Sequence, residues 1–284
     1  MINLAWLDGQ VCDIGEARIP LEDRGYFFGD GVYEVARIYN SKPFALGAHL
    51  ARLHRSAEAI RIAIPYEDTV IEKAIAELIR KSGCVDGYIY IQLTRGSAQR
   101  DHLFPADTRP ALTMFVKELK ALPPLENVKP AKCITLPDER WLNCHIKSIN
   151  LLPNILARQQ AAETGAQEAV LYRSDGLVTE GTRSNIFAII DGVVRTHPQS
   201  NLILAGITRG IVLDIIVEQA IPFVEQAFSL KELEKASEVW ITSSMMEVNP
   251  VFEIDEYPLI EAAPGKITRC LMENFRARVA AECC

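Results

Sequence analysis

Strand-like and helix-like stretches follow one another along this chain in an irregular order. Runs rich in β-branched and aromatic residues predict strands over 31–39, 88–94, 111–117, 131–136, 168–172, 185–190, 193–196 and 239–242. A hairpin turned at Asp8-Gly9 is predicted before them. Hydrophobic residues three and four apart predict helices over 47–62, 67–82, 151–165, 208–220 and 267–280. Because no regular βαβ series results, the order favours an α+β fold over a doubly wound sheet.

The length of 284 residues suggests about two domains. Residues 120–129 include two adjacent prolines and three charged residues, a composition typical of an inter-domain linker. We therefore predict an N-terminal domain over residues 1–120, a linker over 121–129 and a C-terminal domain over 130–284.

Charge and composition exclude several function classes. The net charge of −7, without a basic stripe, argues against nonspecific binding of nucleic acid. No apolar run approaches the ~18 residues of a spanning helix, and the first residues lack the features of a signal peptide, so we expect no membrane association and a cytoplasmic location. Seven scattered cysteines without a CxxC pair, and histidines away from them, predict reduced thiols and no metal site.

Lys147 is the first candidate for chemistry. It follows Trp141 and Leu142 and lies next to Ile146. Apolar surroundings favour the neutral form of an amine, and a neutral amine can form a Schiff base. The same pattern also fits a lysine whose stem crosses apolar surface and whose amine reaches water.

Three further polar segments are candidates for binding an anion or a ring nitrogen. Glu180, in the polar run 178–185, could pair with a pyridinium nitrogen, or the run could be an ordinary loop. Thr208 is predicted to cap a helix whose free N–H groups could hold a phosphate. Ser243 and Ser244 end a strand and offer hydroxyl donors to the same anion. An ordinary cap and a polar strand exit are the alternatives.

Basic side chains offer a fourth candidate. Arg52 lies off the apolar face of its helix, where a solvated arginine is the default expectation. Arg100 and His102 lie two residues apart in a loop, where they could bind a carboxylate together or simply face water.

Taken in order along the chain, these motifs resemble the fold-type IV aminotransferases that use pyridoxal phosphate. The resemblance extends over essentially the whole chain, through segments 23–34, 49–53, 140–152, 179–181, 201–209 and 242–244. It implies two domains with the active site between them and a homodimer. It also implies the cofactor-binding residues Lys147, Glu180, Arg52, Leu204, Ile207, Thr208, Ser243 and Ser244.

The resemblance assigns a role to each of these residues. Lys147 would form the Schiff base with the cofactor and then transfer the proton, and Glu180 would bond the pyridine nitrogen. Leu204 would pack on the ring and Ser243 would lie near its polar edge. The phosphate would be held by Arg52, the backbone of Ile207 and Thr208, and Ser244.

Within that family the chain resembles the D-amino acid aminotransferase branch, through a carboxylate trap formed by Tyr33, Arg100 and His102. The last two would come from the partner subunit. The resemblance implies ping-pong transamination, through pyridoxamine phosphate, between a D-amino acid (D-alanine or D-glutamate type) and 2-oxoglutarate or pyruvate. Arg183 stands where relatives often have a small serine. It could favour dicarboxylate substrates or pair with a nearby acid.

Three alternatives stay open from the sequence. A branched-chain L-amino acid aminotransferase and an aminodeoxychorismate lyase share the fold and the cofactor machinery. A non-catalytic protein that binds pyridoxal phosphate belongs to a different class, although the presence of both Lys147 and Glu180 argues against a decayed site.

Overall fold

A computed structural model describes residues 3–259 and 264–284. The chain forms two compact units. The first comprises Met1–Leu122, Ile146–Asn150 and Val279–Cys284, and the second comprises Pro123–His145 and Leu151–Arg278. The units place Lys147 and the last six residues with the N-terminal part of the chain. The domain bounds at 120 and 130 stay a prediction.

The first unit contains an antiparallel sheet of six strands and three helices. The strands are β1 Leu4–Leu7, β2 Gln10–Asp13, β3 Gly31–Tyr39, β4 Lys42–Pro43, β5 Gly87–Thr94 and β6 Ala111–Glu118, in the order β2-β1-β6-β5-β3-β4. The helices are α1 Arg24–Phe28, α2 Leu46–Ala59 and α3 Asp68–Ser82. The predicted hairpin is confirmed, and Asp8 and Gly9 both have the positive φ that its tight turn requires.

Alternation of side chains along β3 explains how this unit forms its core. Val32, Ala36 and Ile38 are fully buried and belong to the apolar cluster that includes the inner faces of α2 and α3. Since side chains alternate across a strand, Glu34 points to the same apolar side and Tyr33 to the other. A charged residue therefore lies at a core position, which requires a buried partner.

The second unit contains a mixed sheet of nine strands. They are β7 Ala131–Pro137, β8 Glu168–Tyr172, β9 Val178–Gly181, β10 Asn185–Ile190, β11 Val193–Thr196, β12 Phe223–Glu225, β13 Val239–Ser243, β14 Glu247–Ile254 and β15 Tyr257–Pro258. The order is β12-β11-β10-β13-β14-β7-β8-β9, with β15 beside β14. The helices are α4 Leu152–Glu163, α5 Ile207–Glu218, α6 Leu230–Leu233 and α7 Lys266–Cys283, whose last residues belong to the first unit.

The α+β prediction is confirmed, since one sheet is antiparallel and the other mixes both pairings. Strand β9 was not predicted, because its polar residues do not alternate with apolar ones. The prediction that Thr208 caps α5 is wrong: Gly206 is the N-cap and Thr208 lies inside the helix, because the extended backbone ends at Gly206. Among the described helices, none is long and apolar enough to cross a membrane.

Candidate active site

Lys147 lies in the first unit, beside β3. The backbone N–H of Tyr33 donates to the Lys147 carbonyl (3.0 Å), and the Lys147 N–H donates to the Ser56 hydroxyl (3.2 Å). The Lys147 amine lies over the Tyr33 ring, 4.3 Å from its centroid. Trp141 and Leu142 are exposed, so the expectation that they surround the amine is wrong. Trp141 and Leu142 belong to the second unit, and within the first unit the Tyr33 ring of β3 lies beside the amine.

Arg52 is buried in the same unit, so the default expectation of a solvated arginine is wrong. Its Nε and Nη2 donate to the two carboxylate oxygens of Glu34 at 2.7 and 2.8 Å. Nδ1 of His49 lies 2.7 Å from Oε2 of the same carboxylate. Burial opposes the charge on Glu34, but Arg52 and His49 hold its pKa at about 2. Burial lowers the pKa of His49, against the pull of Glu34. The carboxylate is thus charged and fixes the Arg52 guanidinium.

Arg100 and His102 are brought together by one ring. The Arg100 guanidinium lies 5.1 Å from the Phe28 ring centroid, and the His102 ring meets Phe28 edge to face at 5.5 Å. Both side chains are exposed. Tyr33 stacks on Tyr90 instead, at 5.6 Å between centroids.

Glu180 is buried in the second unit, on β9, and both its oxygens accept hydrogen bonds. Arg140 donates to one oxygen, while Asn185 (2.9 Å) and the Leu204 backbone N–H (3.0 Å) donate to the other. Burial raises the pKa of Glu180, although Arg140 and the Leu204 N–H act in the opposite direction. The carboxylate therefore depends on these donors for its charge.

Arg140 is a residue that sequence reasoning missed. Besides Glu180 it binds Asp138, through Nε and Nη2 at 2.8 Å each. Asp138 also accepts from the Thr179 hydroxyl and pairs with Arg173. The signal in the sequence was the placement of an acid and a base two residues apart just after β7, beside a predicted cofactor lysine. The pairing with Glu180, forty positions further on, could be seen only in the fold.

The loop after Glu180 is shaped by a second buried carboxylate. Glu168 accepts from the N–H and hydroxyl of Thr182 and from the Ser184 hydroxyl. A Cβ on Gly181 would approach the Ser184 hydroxyl to 2.2 Å, so a side chain there would displace the hydroxyl that binds Glu168. Arg183, between the two inward-pointing residues, is exposed.

The start of α5 has the features of an anion site. No side chain caps this helix, so the first N–H groups, among them those of Ile207 and Thr208, are left to other partners. A Cβ on its N-cap Gly206 would lie 2.0 Å from Asn185 Oδ1. Asn185 also donates to the Leu204 carbonyl at 2.9 Å, which fixes the loop that leads into α5.

Strand β13 brings hydroxyl groups toward the same part of the second unit. Thr242 pairs with Asn185 in the register of β10 and β13, and Ser243 and Ser244 follow it. The Thr242 hydroxyl is buried and has no hydrogen-bond partner within the described residues. This hydroxyl is therefore free to donate to a bound group.

Each unit, taken by itself, has groups that suit pyridoxal phosphate. In the second unit, Glu180 matches a protonated ring nitrogen, and the uncapped α5 start with the nearby hydroxyls matches a phosphate. In the first unit, the Lys147 amine matches the aldehyde, and the Arg52 guanidinium, held by Glu34, is a cation suited to a phosphate.

Comparison with known proteins agrees with this chemistry. The chain is 41% identical, over 97% of its length and 96% of the relative, to a D-alanine aminotransferase of Bacillus licheniformis. It superposes on a branched-chain aminotransferase of the archaeon Thermoproteus uzoniensis, bound to norvaline, with a TM-score of 0.89 at 28% identity, covering 99% and 96% of the two chains. A fold IV-transaminase of Curtobacterium pusillum gives 0.82 at 27% identity, covering 94% and 93%.

The sequence profile described as Amino-transferase class IV matches residues 31–254, more than three quarters of the chain. Enzymes of this class depend on pyridoxal phosphate, and a structurally similar branched-chain enzyme has been solved with pyridoxamine 5'-phosphate, which confirms the predicted cofactor. The chain belongs to the class IV aminotransferases.

Proposed function

We propose that this chain transfers the amino group of a D-amino acid, of the D-alanine or D-glutamate type, to 2-oxoglutarate or pyruvate, in two half-reactions of a ping-pong cycle. The observation that supports this most is the 41% identity to a D-alanine aminotransferase over nearly the full length of both chains. The separate expectation that Tyr33, Arg100 and His102 bind the substrate carboxylate is consistent with the contact of Arg100 and His102 with one ring.

Bound pyridoxal phosphate supplies an electron sink for the pair left at Cα when its proton is removed. In the proposal, Lys147 holds the cofactor and then, as a free amine, moves the proton at Cα. Its position over Tyr33 restricts the directions from which the amine can reach a substrate. A single proton-transferring group on one side of the substrate gives a product of one chirality.

In this proposal, Glu180 accepts a hydrogen bond from the protonated ring nitrogen of the cofactor. Arg140, Asn185 and the Leu204 N–H hold both carboxylate oxygens in place, so the group is oriented before the cofactor binds. A preorganised, buried carboxylate stabilises a positive ring nitrogen more strongly than a solvated one does.

The phosphate would be held by Arg52, the backbone N–H groups of Ile207 and Thr208, and Ser244. Leu204 would pack on the ring, and Ser243 would lie near its polar edge. Glu34 and His49 support this assignment, because they fix the Arg52 side chain within the first unit. A guanidinium with a fixed orientation loses less side-chain entropy when it binds a phosphate.

We also propose that the enzyme acts as a homodimer, in which Arg100 and His102 serve the site of the partner. Exposure of both side chains is compatible with that role. A cytoplasmic location stays a prediction.

The proposal is tested by mixing the purified holoenzyme with D-alanine and 2-oxoglutarate and measuring the pyruvate that is released. We expect activity in the wild type and its loss in Lys147→Ala. The matched control is Lys81→Ala, which removes an exposed lysine whose ion pair is with Glu77, one turn away on the same helix. Absence of D-alanine and D-glutamate turnover in the wild type would refute the proposed function.

A branched-chain L-amino acid aminotransferase is the second candidate, favoured by the likeness to the branched-chain enzyme that binds norvaline. The two candidate functions differ in the chirality of the amino donor. Turnover of L-leucine or L-valine without any D-donor activity would select this second function.

A further inference from the structure

Arg100 and His102, the carboxylate-binding pair of the proposed function, both rest on an aromatic ring. Among residues 3–259 and 264–284, neither the Arg100 guanidinium nor the His102 ring has a hydrogen-bond or ion-pair partner. Both contact the Phe28 ring: the Arg100 guanidinium lies 5.1 Å from its centroid, and the His102 ring centroid lies 5.5 Å from it. Their N–H groups thus remain available for a ligand while the aromatic ring sets their direction.

A buried ion cluster of Arg24, Asp30 and Arg95 fixes the backbone around this pair. Arg24 is buried, binds Asp30 through Nε (2.8 Å) and donates from Nη1 to the Asp101 carbonyl (2.6 Å). Asp30 also binds Arg95. Burial works against the charge of Asp30, but Arg95 and Arg24 hold its pKa below the ordinary value. The residue between Arg100 and His102 is therefore attached to a charged cluster that stays intact at neutral pH.

The same cluster holds the far end of the loop. The Arg95 guanidinium lies 3.7 Å from the centroid of the Phe104 ring. The loop is thus attached at Asp101 and at Phe104, whereas the two polar side chains rest on Phe28. The Phe28 ring also lies 4.9 Å from the Arg24 guanidinium, so it contacts both the ion cluster and the polar pair. The hydrogen bonds from Arg24 to Asp30 and to the Asp101 carbonyl do not involve the ring, so they continue to hold the backbone when the ring is removed.

We propose that Phe28 is a positioning residue for substrate binding: its ring pre-orients Arg100 and His102 so that they receive a carboxylate together. The inference rests on the proposed function. Rings hold cations and other rings in preferred geometries, and a flexible arginine with no such contact loses more freedom when a ligand binds. Removal of the ring should weaken binding of any α-carboxylate without changing the chemistry at Lys147.

The test is a double-mutant cycle between Phe28→Leu and Arg100→Met in the holoenzyme. We expect Phe28→Leu to raise KM for D-alanine and the Kd of 2-oxoglutarate roughly tenfold, which corresponds to ~1.4 kcal/mol, with kcat within about twofold. The effect should largely disappear when Arg100→Met is already present, because coupled residues are non-additive. Phe28→Tyr, which keeps the ring, should restore wild-type binding.

Phe27→Leu is the matched control, since Phe27 is an equally half-buried ring of the same helix that touches Phe28 but neither Arg100 nor His102. If Phe28→Leu does not fold, Phe28→Met replaces it, because methionine fills a similar volume without a ring. Unchanged KM and Kd, or fully additive effects with Arg100→Met, would overturn the inference. If the wild type does not turn over any D-donor, the proposed function is refuted instead. The Kd of 2-oxoglutarate in Phe28→Leu would still test the role of Phe28.

Discussion

Replacement of Arg140 by methionine should destabilise the second unit and move the pH dependence of activity. Arg140 is the cation between two buried carboxylates, Asp138 and Glu180. Methionine fills much of the same space but leaves Glu180 without a positive partner. An uncompensated buried charge is among the costliest defects that a substitution can introduce.

The contacts that remain set the size of the effect. Loss of one partner from a buried pair costs roughly 3–5 kcal/mol. Glu180 would keep the N–H donors of Asn185 and Leu204, and Asp138 would keep Arg173. We therefore expect the lower end, about 3 kcal/mol, which lowers the midpoint of thermal unfolding by roughly 6–12 °C.

Arg278→Met provides a matched control. Arg278 and Glu218 approach to 2.5 Å, as Arg140 and Glu180 do, but their side chains are 32% and 60% exposed, compared with 7% and 5%. An exposed pair contributes ~0–1 kcal/mol. Calorimetric melting of both variants without cofactor measures the difference. Equal stability losses in the two variants would refute the reasoning.

The same variant has a signature in the pH profile. Arg140 opposes the rise in the pKa of Glu180 that burial causes, so its removal raises that pKa further. A larger fraction of Glu180 is then protonated at a given pH, and the acidic limb of kcat/KM should move to higher pH. An unmoved acidic limb in a folded, cofactor-loaded Arg140→Met enzyme would contradict the role assigned to Glu180.

Three further substitutions test other parts of the molecule. The pKa of Glu34 is about 2, against an ordinary 4.5, so the stability that its charge contributes is complete above pH 4.5 and is lost as the pH falls toward 2. Between pH 5 and pH 2, the free energy of unfolding should therefore depend less on pH in Glu34→Gln than in the wild type. Gly206→Ala should displace Asn185 and lower cofactor affinity about tenfold, roughly 1.4 kcal/mol, in an absorbance titration, whereas Gly210→Ala, with open space around it, should not. Arg183→Ser should lower kcat/KM for D-glutamate relative to D-alanine, and an unchanged ratio would remove Arg183 from substrate selection.

Elements with a regular apolar pattern could be predicted from the sequence. Strand β3 has the predicted bounds, because its alternating residues fix both its extent and its buried face. Strand β9 was missed for the opposite reason: Thr179 and Glu180 are polar, and their burial depends on Asp138 and Arg140, which precede them by about forty positions.

The surroundings of the candidate site could not be predicted, because they are set by residues distant in sequence. The position of Arg52 on its helix suggested solvent, but Glu34 of the adjacent strand requires a buried cation. The residues before Lys147 suggested an apolar pocket, whereas Tyr33 is the ring that meets its amine. Only the ordered set of motifs pointed to the family.

The half-reaction with single amino donors tests the central claim most directly. Holoenzyme is mixed with D- and L-alanine, D- and L-glutamate, and D- and L-leucine, without an oxo acid, and the visible absorption of the bound cofactor is followed. We expect rapid loss of the visible band with D-alanine or D-glutamate, slow or no change with the L-forms, and no reaction in Lys147→Ala. A rapid change with L-leucine and none with any D-donor would contradict the account.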